Sequence, residues 1–329
     1  MKVLVTGATG YIGMRICEAL AAKGHQVHAL YRSATKAAPL KGQEGIELFQ
    51  GDILDAASIA RAIKGTDAVI HVAAFAKPWA PDRNIYHRIN VQGARTVFEA
   101  AHRSDVPRVV FTSTAGVISP SEGGRLSDEH TPRRIPHFTD YEASKAEAEA
   151  LARQMVRDTG IEIVIVNPTR VYGPGLLSDS NGVTRMVKLY LEGKFRLIPG
   201  NGRSVGNYVY IDDVVRGHLA ALQKGQPGHR YILGGENVSF LQFFETLAKV
   251  TGKRYRMFKL PMPLMSMAAH AMHLRAEWLG TPPLITPPWV KKYVYNWALS
   301  TERMEKELGI RPTPLEQGLI HTVKWLKKG

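Results

Sequence analysis

A short β-branched strand that turns through three evenly spaced glycines is the feature that most restricts what this chain can become. Residues 2 to 13 read K-V-L-V-T-G-A-T-G-Y-I-G, and Ile12, Ile16, Ala19 and Leu20 then follow at helical spacing. A strand that turns tightly into a helix N-terminus leaves backbone N–H groups free and aligned with the macrodipole, which makes an anion site. Gly7 is expected to allow the turn, Gly10 to let a pyrophosphate approach, and Gly13 to let the helix pack close on the strand. The context of strand, glycines and helix is the one that a dinucleotide site needs.

Beyond the first helix, the chain has the rhythm of a doubly wound parallel sheet. Strands are expected at Gln26 to Tyr31, Ile46 to Phe49, Ala68 to Val72, Arg108 to Thr112 and Ile161 to Val166. Between them lie helical segments at Asp55 to Lys64, with Asp55 as N-cap, at Asp82 to Ser104, and at Tyr141 to Thr159, capped by Thr139 or Asp140. The alternation weakens after Asn167-Pro168, where proline and glycine crowd together. A further strand is expected at Tyr208 to Ile211, then a helix capped by Asp212 or Asp213, then a strand at His229 to Leu233. The fold class is therefore α/β, a Rossmann-type sheet with a smaller, interleaved C-terminal lobe. Residues 1–170 form the dinucleotide domain, with 204–235 returning to it, while 171–203 and 236–329 build a substrate lobe.

Charge sharpens the cofactor. An acid about twenty residues past the glycines would hold ribose hydroxyls, whereas an arginine accommodates a 2′-phosphate. The second strand runs into Arg32 and Lys36 with no acid between them, which favours NADP over NAD. The formal net charge of +14 is uneven: residues 249–329 carry fourteen Lys/Arg against five Glu and no Asp. That bias suits an anionic substrate or a peripheral contact with an anionic membrane surface. No nucleic-acid motif accompanies it, and the scattered histidines suggest no metal site. The lone Cys17 rules out an internal disulfide, and Met1-Lys2 leads straight into a strand without a leader pattern; a cytoplasmic setting is expected.

The second informative stretch is Tyr141-Glu142-Ala143-Ser144-Lys145. Tyr141 and Lys145 are four apart and share a helix face. A tyrosine near pKa 10 is a poor base at neutral pH, and a nearby ammonium is expected to lower that value. The fifth strand ends in Thr112-Ser113-Thr114, hydroxyls suited to orienting a carbonyl at the sheet edge.

Taken together, T-G-A-T-G-Y-I-G (6–13), G-D-I (51–53), H-V-A-A (71–74), F-T-S-T-A-G (111–116), Y-x-x-x-K (141–145) and N-P-x-x-V-Y-G-P-G (167–175) resemble the extended short-chain dehydrogenase/reductase family, in its epimerase/dehydratase-like branch. The resemblance implies Tyr141 as general acid/base, Lys145 as its partner and Thr114 as orienting hydroxyl, with Ser113 able to assist. It also implies cofactor contacts from Gly7, Thr9, Gly10, Tyr11, Ile12, Gly13, Asp52, Ile53, Ala73, Ala74, Asn90, Asn167 and Pro168, beside Arg32 and Lys36. The C-terminal L-S-T-E-R-M-E-K-E-L-G-I-R-P is similar to the dihydroflavonol reductase and 3β-hydroxysteroid dehydrogenase side of the family. W-A-P-D (79–82) and R-Y-I-L-G-G-E-N (230–237) are similar to hopanoid-associated sugar epimerases.

Three activities share these parts. An NADP(H)-dependent reductase would interconvert a ketone and an alcohol on a bulky, largely apolar small molecule. A nucleotide-sugar epimerase or dehydratase would return the hydride to its substrate. A non-catalytic dinucleotide-binding regulator would use only the cofactor site. Nucleotide-sugar enzymes resembling this chain commonly carry a diphosphate-binding arginine where Gly206 stands, although Arg203 is nearby. Met257, Met262, Met265, Met267, Met272, Trp278 and Trp289 suit a large apolar substrate. Both points favour the reductase. A homodimer through the helices Asp82 to Ser104 and Tyr141 to Thr159 is a further expectation.

Overall fold

The computed structural model describes residues 1–177 and 181–328. Its strands are β1 (Lys2–Thr6), β2 (Gln26–Tyr31), β3 (Ile46–Gln50), β4 (Ala68–His71), β5 (Arg108–Thr112), β6 (Glu162–Pro168), β7 (Arg170–Tyr172), β8 (Leu197–Pro199), β9 (Val205–Tyr210), β10 (Arg230–Leu233), β11 (Glu236–Ser239) and β12 (Phe258–Leu260). Its α-helices are α1 (Tyr11–Ala22), α2 (Ala34–Ala37), α3 (Ala56–Ile63), α4 (Asn84–His87), α5 (Gly93–Arg103), α6 (Asp140–Thr159), α7 (Gly182–Leu191), α8 (Ile211–Lys224), α9 (Phe240–Thr251), α10 (Met262–Leu279), α11 (Pro287–Lys292) and α12 (Leu315–Leu326).

Seven strands form one parallel sheet in the order β10-β6-β5-β4-β1-β2-β3. The chain reverses its winding direction between β1 and β4, the switch point where ligands bind in open parallel sheets. Apolar β-branched strands are buried on both faces, as a sheet covered by helices on each side demands. Val3, Val5, Val27, Ile70 and Val166 face one core, and Leu4, Val69, Val109, Phe111 and Ile163 the other. The excursion after β6 adds a second sheet, β11-β9-β7, and a β12-β8 pair. β10 returns to the main sheet against β6.

Local chemistry explains two departures from sequence expectation and decides between the two caps expected for α6. The segment Asp82 to Ser104 is not one α-helix. It starts at Asn84 and widens into a π-helical turn over Arg88–Gln92 before α5. That turn carries Asn90 inward, where it bonds Phe75 and Ser144. Thr139, rather than Asp140, caps α6, while Asp140 takes two hydrogen bonds from Arg83 at 2.7 and 2.6 Å. Neither Asp212 nor Asp213 caps α8. Asp212 pairs with Arg15 at 2.8 Å, and the buried Asp213 accepts from Thr313 N and Oγ1.

Two fully buried histidines brace the sheet. His71 Nδ1 shares a 2.6 Å hydrogen bond with Thr6 Oγ1, joining β4 to β1. His218 bonds Thr112 Oγ1 at 2.9 Å and the Val214 carbonyl at 2.8 Å. Burial pushes their pKa values down to about 3 and about 4. The folded protein therefore resists protons that the unfolded chain takes up below pH 6.5, so stability falls as the pH drops. Each histidine is expected to cost about 2 kcal/mol at pH 5 relative to neutral pH. Denaturant melts at both pH values will show this loss reduced in His218→Asn; an unchanged pH slope would remove His218 from the account.

Candidate active site

The site is built along the C-terminal edge of β1, β4, β5 and β6. Gly7 sits at φ +70°, and a Cβ there would lie 2.7 Å from Ala73 N. At Gly13 a Cβ would overlap the Gly7 carbonyl oxygen, so α1 lies on the turn backbone to backbone. Gly10 is different: a Cβ would meet only Gly7 O, at 3.2 Å. Of the three, Gly10 is the position open to a ligand, which matches an anion cradle at the start of α1. Thr9 and Ile12 flank it, half-buried. Tyr11 is turned away. Its hydroxyl donates to Gly173 O at 3.0 Å and burial raises its pKa, so only its backbone N–H can serve an anion.

At the end of β2, Arg32 and Lys36 are exposed, as a group reading a solvent-facing phosphate must be. Arg32 already has a partner, Asp52, at 3.5 Å. Ile53 is buried beside Gly93, whose Cβ would stand 2.6 Å from its Cδ1. Ala73 and Ala74 line the exit of β4 without side chains large enough to close it.

The Asn90 amide is taken up within the protein, whereas Asn167 commits its Nδ2 and leaves a buried Oδ1 without a hydrogen-bond partner. Asn90 Oδ1 accepts from Phe75 N at 2.7 Å, and its Nδ2 donates to Phe75 O and Ser144 Oγ. Asn167 is fully buried and donates to Thr114 O at 3.0 Å and to Glu149 Oε1 at 2.6 Å. Both hold the site's loops in place. Pro168 closes β6 against Leu233.

Thr114, Tyr141 and Lys145 come together at the ends of β5 and α6. The Thr114 hydroxyl lies against the Tyr141 phenol and lowers its pKa, but burial and the Glu142 carboxylate dominate and push it up to about 12. Burial and Glu142 thus keep the phenol protonated in the protein alone, while the Lys145 Nζ stands 4.1 Å above the Phe111 ring. Burial brings Lys145 down to about 7, against the pull of Glu149. Among the described residues, buried Lys145 Nζ and Ser113 Oγ have no hydrogen-bond partner. An ammonium held dry and unpartnered fits the hydroxyls of a nucleotide ribose.

Sequence reasoning missed the wall opposite. Glu142, 1% exposed, accepts from Phe138 N at 3.0 Å and is bonded by Lys292 from α11. Lys292 lies between Trp289 and Trp297, whose ring centroids are 4.6 and 5.0 Å from its Nζ. Arg170 rests on Tyr208 and Phe240 at 5.3 and 5.5 Å, and a Cβ on Gly206 would overlap its guanidinium. No local spacing announces the Glu142–Lys292 and Arg170–Tyr208 contacts, which join residues far apart in the chain. The methionines expected to line the substrate cavity do not share one: Met265 is buried between helices, while Met267 is 67% exposed. Among the described residues there is no group of three or more His, Cys, Asp and Glu suited to a metal.

The glycine cradle, the switch-point sheet and the Tyr-Lys pair define an NAD(P)-dependent enzyme of the extended short-chain dehydrogenase/reductase class. The chain belongs to the NAD dependent epimerase/dehydratase family, which matches residues 3–234. It is 31% identical over 335 residues to sterol demethylase protein B of Methylococcus capsulatus, covering all of this chain and 99% of that protein. It is 29% identical to a putative dihydroflavonol 4-reductase of Synechocystis, over 98% of this chain and 94% of the relative. Among solved structures, the UDP-glucuronic acid 4-epimerase of Bacillus cereus in complex with NAD aligns with a TM-score of 0.78 at 26% identity, over 100% and 99% of the two chains.

The glycines separate packing from binding. Gly13→Ala is expected to destabilise the protein by about 1–3 kcal/mol through overpacking. Gly10→Ala should leave the thermal midpoint near wild type while weakening dinucleotide affinity at least about tenfold, since its methyl would stand in the cradle. Melting curves and fluorescence titration check both, and undiminished affinity in Gly10→Ala would move the anion elsewhere.

Proposed function

We propose that this chain is an NADP(H)-dependent oxidoreductase that interconverts a ketone and an alcohol on a bulky, largely apolar small molecule. The observation that carries the reading is Gly206 under Arg170. The guanidinium fills the space that a side chain at 206 would need, and it is held by two aromatic rings and a 2.9 Å bond to Tyr208 Oη. A diphosphate-clamping arginine cannot stand there, and Arg203 is exposed on the neighbouring turn. The similarity to a relative named as a reductase and to one named for a sterol supports a ketone on an apolar framework. The likeness to an NAD-bound epimerase supports the competing reading, sugar epimerisation.

In this reading residues 1–170 with 204–235 hold the cofactor, and 171–203 with 236–329 hold the substrate. NADP is favoured because β2 ends on Arg32 and Lys36, without a carboxylate for the ribose. The cofactor, when bound, supplies or accepts the hydride. Tyr141 keeps its proton at neutral pH and donates it to the carbonyl oxygen as charge develops there. Thr114, with Ser113 beside it, orients that oxygen. Lys145 bonds the ribose hydroxyls of the bound cofactor, and solvent returns the proton to Tyr141.

Three measurements test the assignment. NADPH should bind at least about tenfold tighter than NADH, the factor set by roughly 1.4 kcal/mol of charge-assisted bonding, and Arg32→Ala should narrow the gap. Equal affinities in the wild type would sink the NADP assignment. Tyr141→Phe should lower turnover at least about a hundredfold with cofactor affinity kept. Assayed on ketones and UDP-sugars, the wild type should oxidise NADPH with a ketone; sugar conversion without net cofactor change would establish the epimerase instead.

A further inference from the structure

Helix α10 is apolar on two opposite sides. One side is internal: Met265, Ala269 and Ala276 are buried and pack with Val290 of α11. The other faces outward. Leu264, Met267, Leu274 and Trp278 fall at intervals of three, seven and four, so they form one stripe. They are 51%, 67%, 57% and 86% exposed. Past the helix, Leu284 is 83% exposed. A helix that is apolar all round belongs in a core or against lipid. This one is covered on one side, and nothing among the described residues covers the other.

The charges beside the stripe say what does. Glu277 is the single acid between residues 255 and 298, against five Lys/Arg. Its carboxylate is already paired with His273 at 3.2 Å. Arg256 and Lys259 are exposed on either side of Phe258, itself half-exposed, just before the helix. A second copy of this chain docking through the same face would set these cations against each other. An anionic lipid surface satisfies both properties: its headgroups pair with the cations, and its acyl boundary takes Leu, Met and Trp. No helix among the described residues is long and apolar enough to cross a membrane. The contact is therefore with the surface of one leaflet.

We propose that the outer stripe of α10, from Leu264 to Trp278, together with Arg256 and Lys259, docks this protein on an anionic bilayer surface. The placement does not rest on the reductase reading, because none of these residues belongs to the cofactor or Tyr141 site. It gives a large apolar substrate dissolved in lipid a short route to the lobe that α10 helps to build.

The test uses the full chain and vesicles of phosphatidylcholine alone or with ~30 mol% phosphatidylglycerol. Co-sedimentation should be at least about tenfold stronger with the anionic vesicles. Met267→Glu/Trp278→Glu should reduce that partition at least about tenfold with NADPH affinity unchanged, and Arg256→Glu/Lys259→Glu should do so independently. Equal partition to both vesicle types, no partition, or wild-type partition in both variants would overturn the proposal. So would a wild-type dimer in sedimentation velocity that Met267→Glu/Trp278→Glu converts to monomer, since the stripe would then be an interface between copies.

Discussion

Backbone packed directly on backbone at the end of β1 fixes everything around it. The Gly13 α-carbon lies on the Gly7 carbonyl, and Gly7 in turn lies on the backbone of Ala73 at the exit of β4. These contacts leave no space for a methyl group, and they set the distance between α1 and the sheet on one side and between β1 and β4 on the other. The switch point opens there, and the Thr6–His71 hydrogen bond locks the same two strands one layer deeper. A displacement of α1 by the width of one methyl would carry the start of that helix away from the sheet edge. The phosphate cradle and the register of the central strands are thus one structural fact.

Two buried carboxylates on α6 then place the chemistry. Glu149 holds Asn167, which holds the Thr114 carbonyl, so the end of β6 is tied through α6 to the end of β5. Glu149 also takes Arg153 at 2.8 Å and Arg230 at 3.5 Å, which compensates its charge inside the protein. Seven residues earlier, Glu142 faces Lys292 and, at 4.0 Å, Arg133. Removing one member of such a pair leaves an uncompensated buried charge, whose cost of about 3–5 kcal/mol exceeds what the pair itself contributes. The C-terminal segment is therefore drawn onto the head of the helix that bears Tyr141. The α11 segment and the residue proposed as acid/base are held by the same ion pair.

The glycine turn and the Tyr-Lys pair were largely legible in the sequence, because each of their parts is local. Strand, glycine turn and helix are contiguous from Lys2 to Ala22, and Tyr141 and Lys145 lie one helical turn apart. The caps were less legible: Asp140 and Asp212 look like N-caps until Arg83 and Arg15, distant in sequence, claim their carboxylates. The contacts of the C-terminal segment were hardly legible. Lys292 meets Glu142 across 150 positions, and Arg170 displaces any side chain from Gly206. Such contacts leave no periodic trace. The methionine and tryptophan content of the C-terminal lobe suggests a cavity lining, yet Met267 and Trp278 lie on the outside of α10, because composition does not record which side of a helix is already covered.

Lys145 shows how the site is ordered electrostatically. Burial alone favours its neutral form, and His71 lies in the same layer, with the Phe111 ring 4.1 Å below the ammonium and 5.7 Å from the imidazole. Two cations there would repel in a poorly screened interior, and the histidine yields: burial and the lysine charge together keep it neutral to about pH 3. The remaining positive charge is thus reserved for Lys145. Neutral hydroxyl acceptors would satisfy its hydrogen-bonding capacity without cancelling its charge, whereas a carboxylate partner would cancel it. Glu149 is the carboxylate that acts on Lys145 from within the protein, and it favours the ammonium without a hydrogen bond to it, so the donor capacity of Nζ stays open.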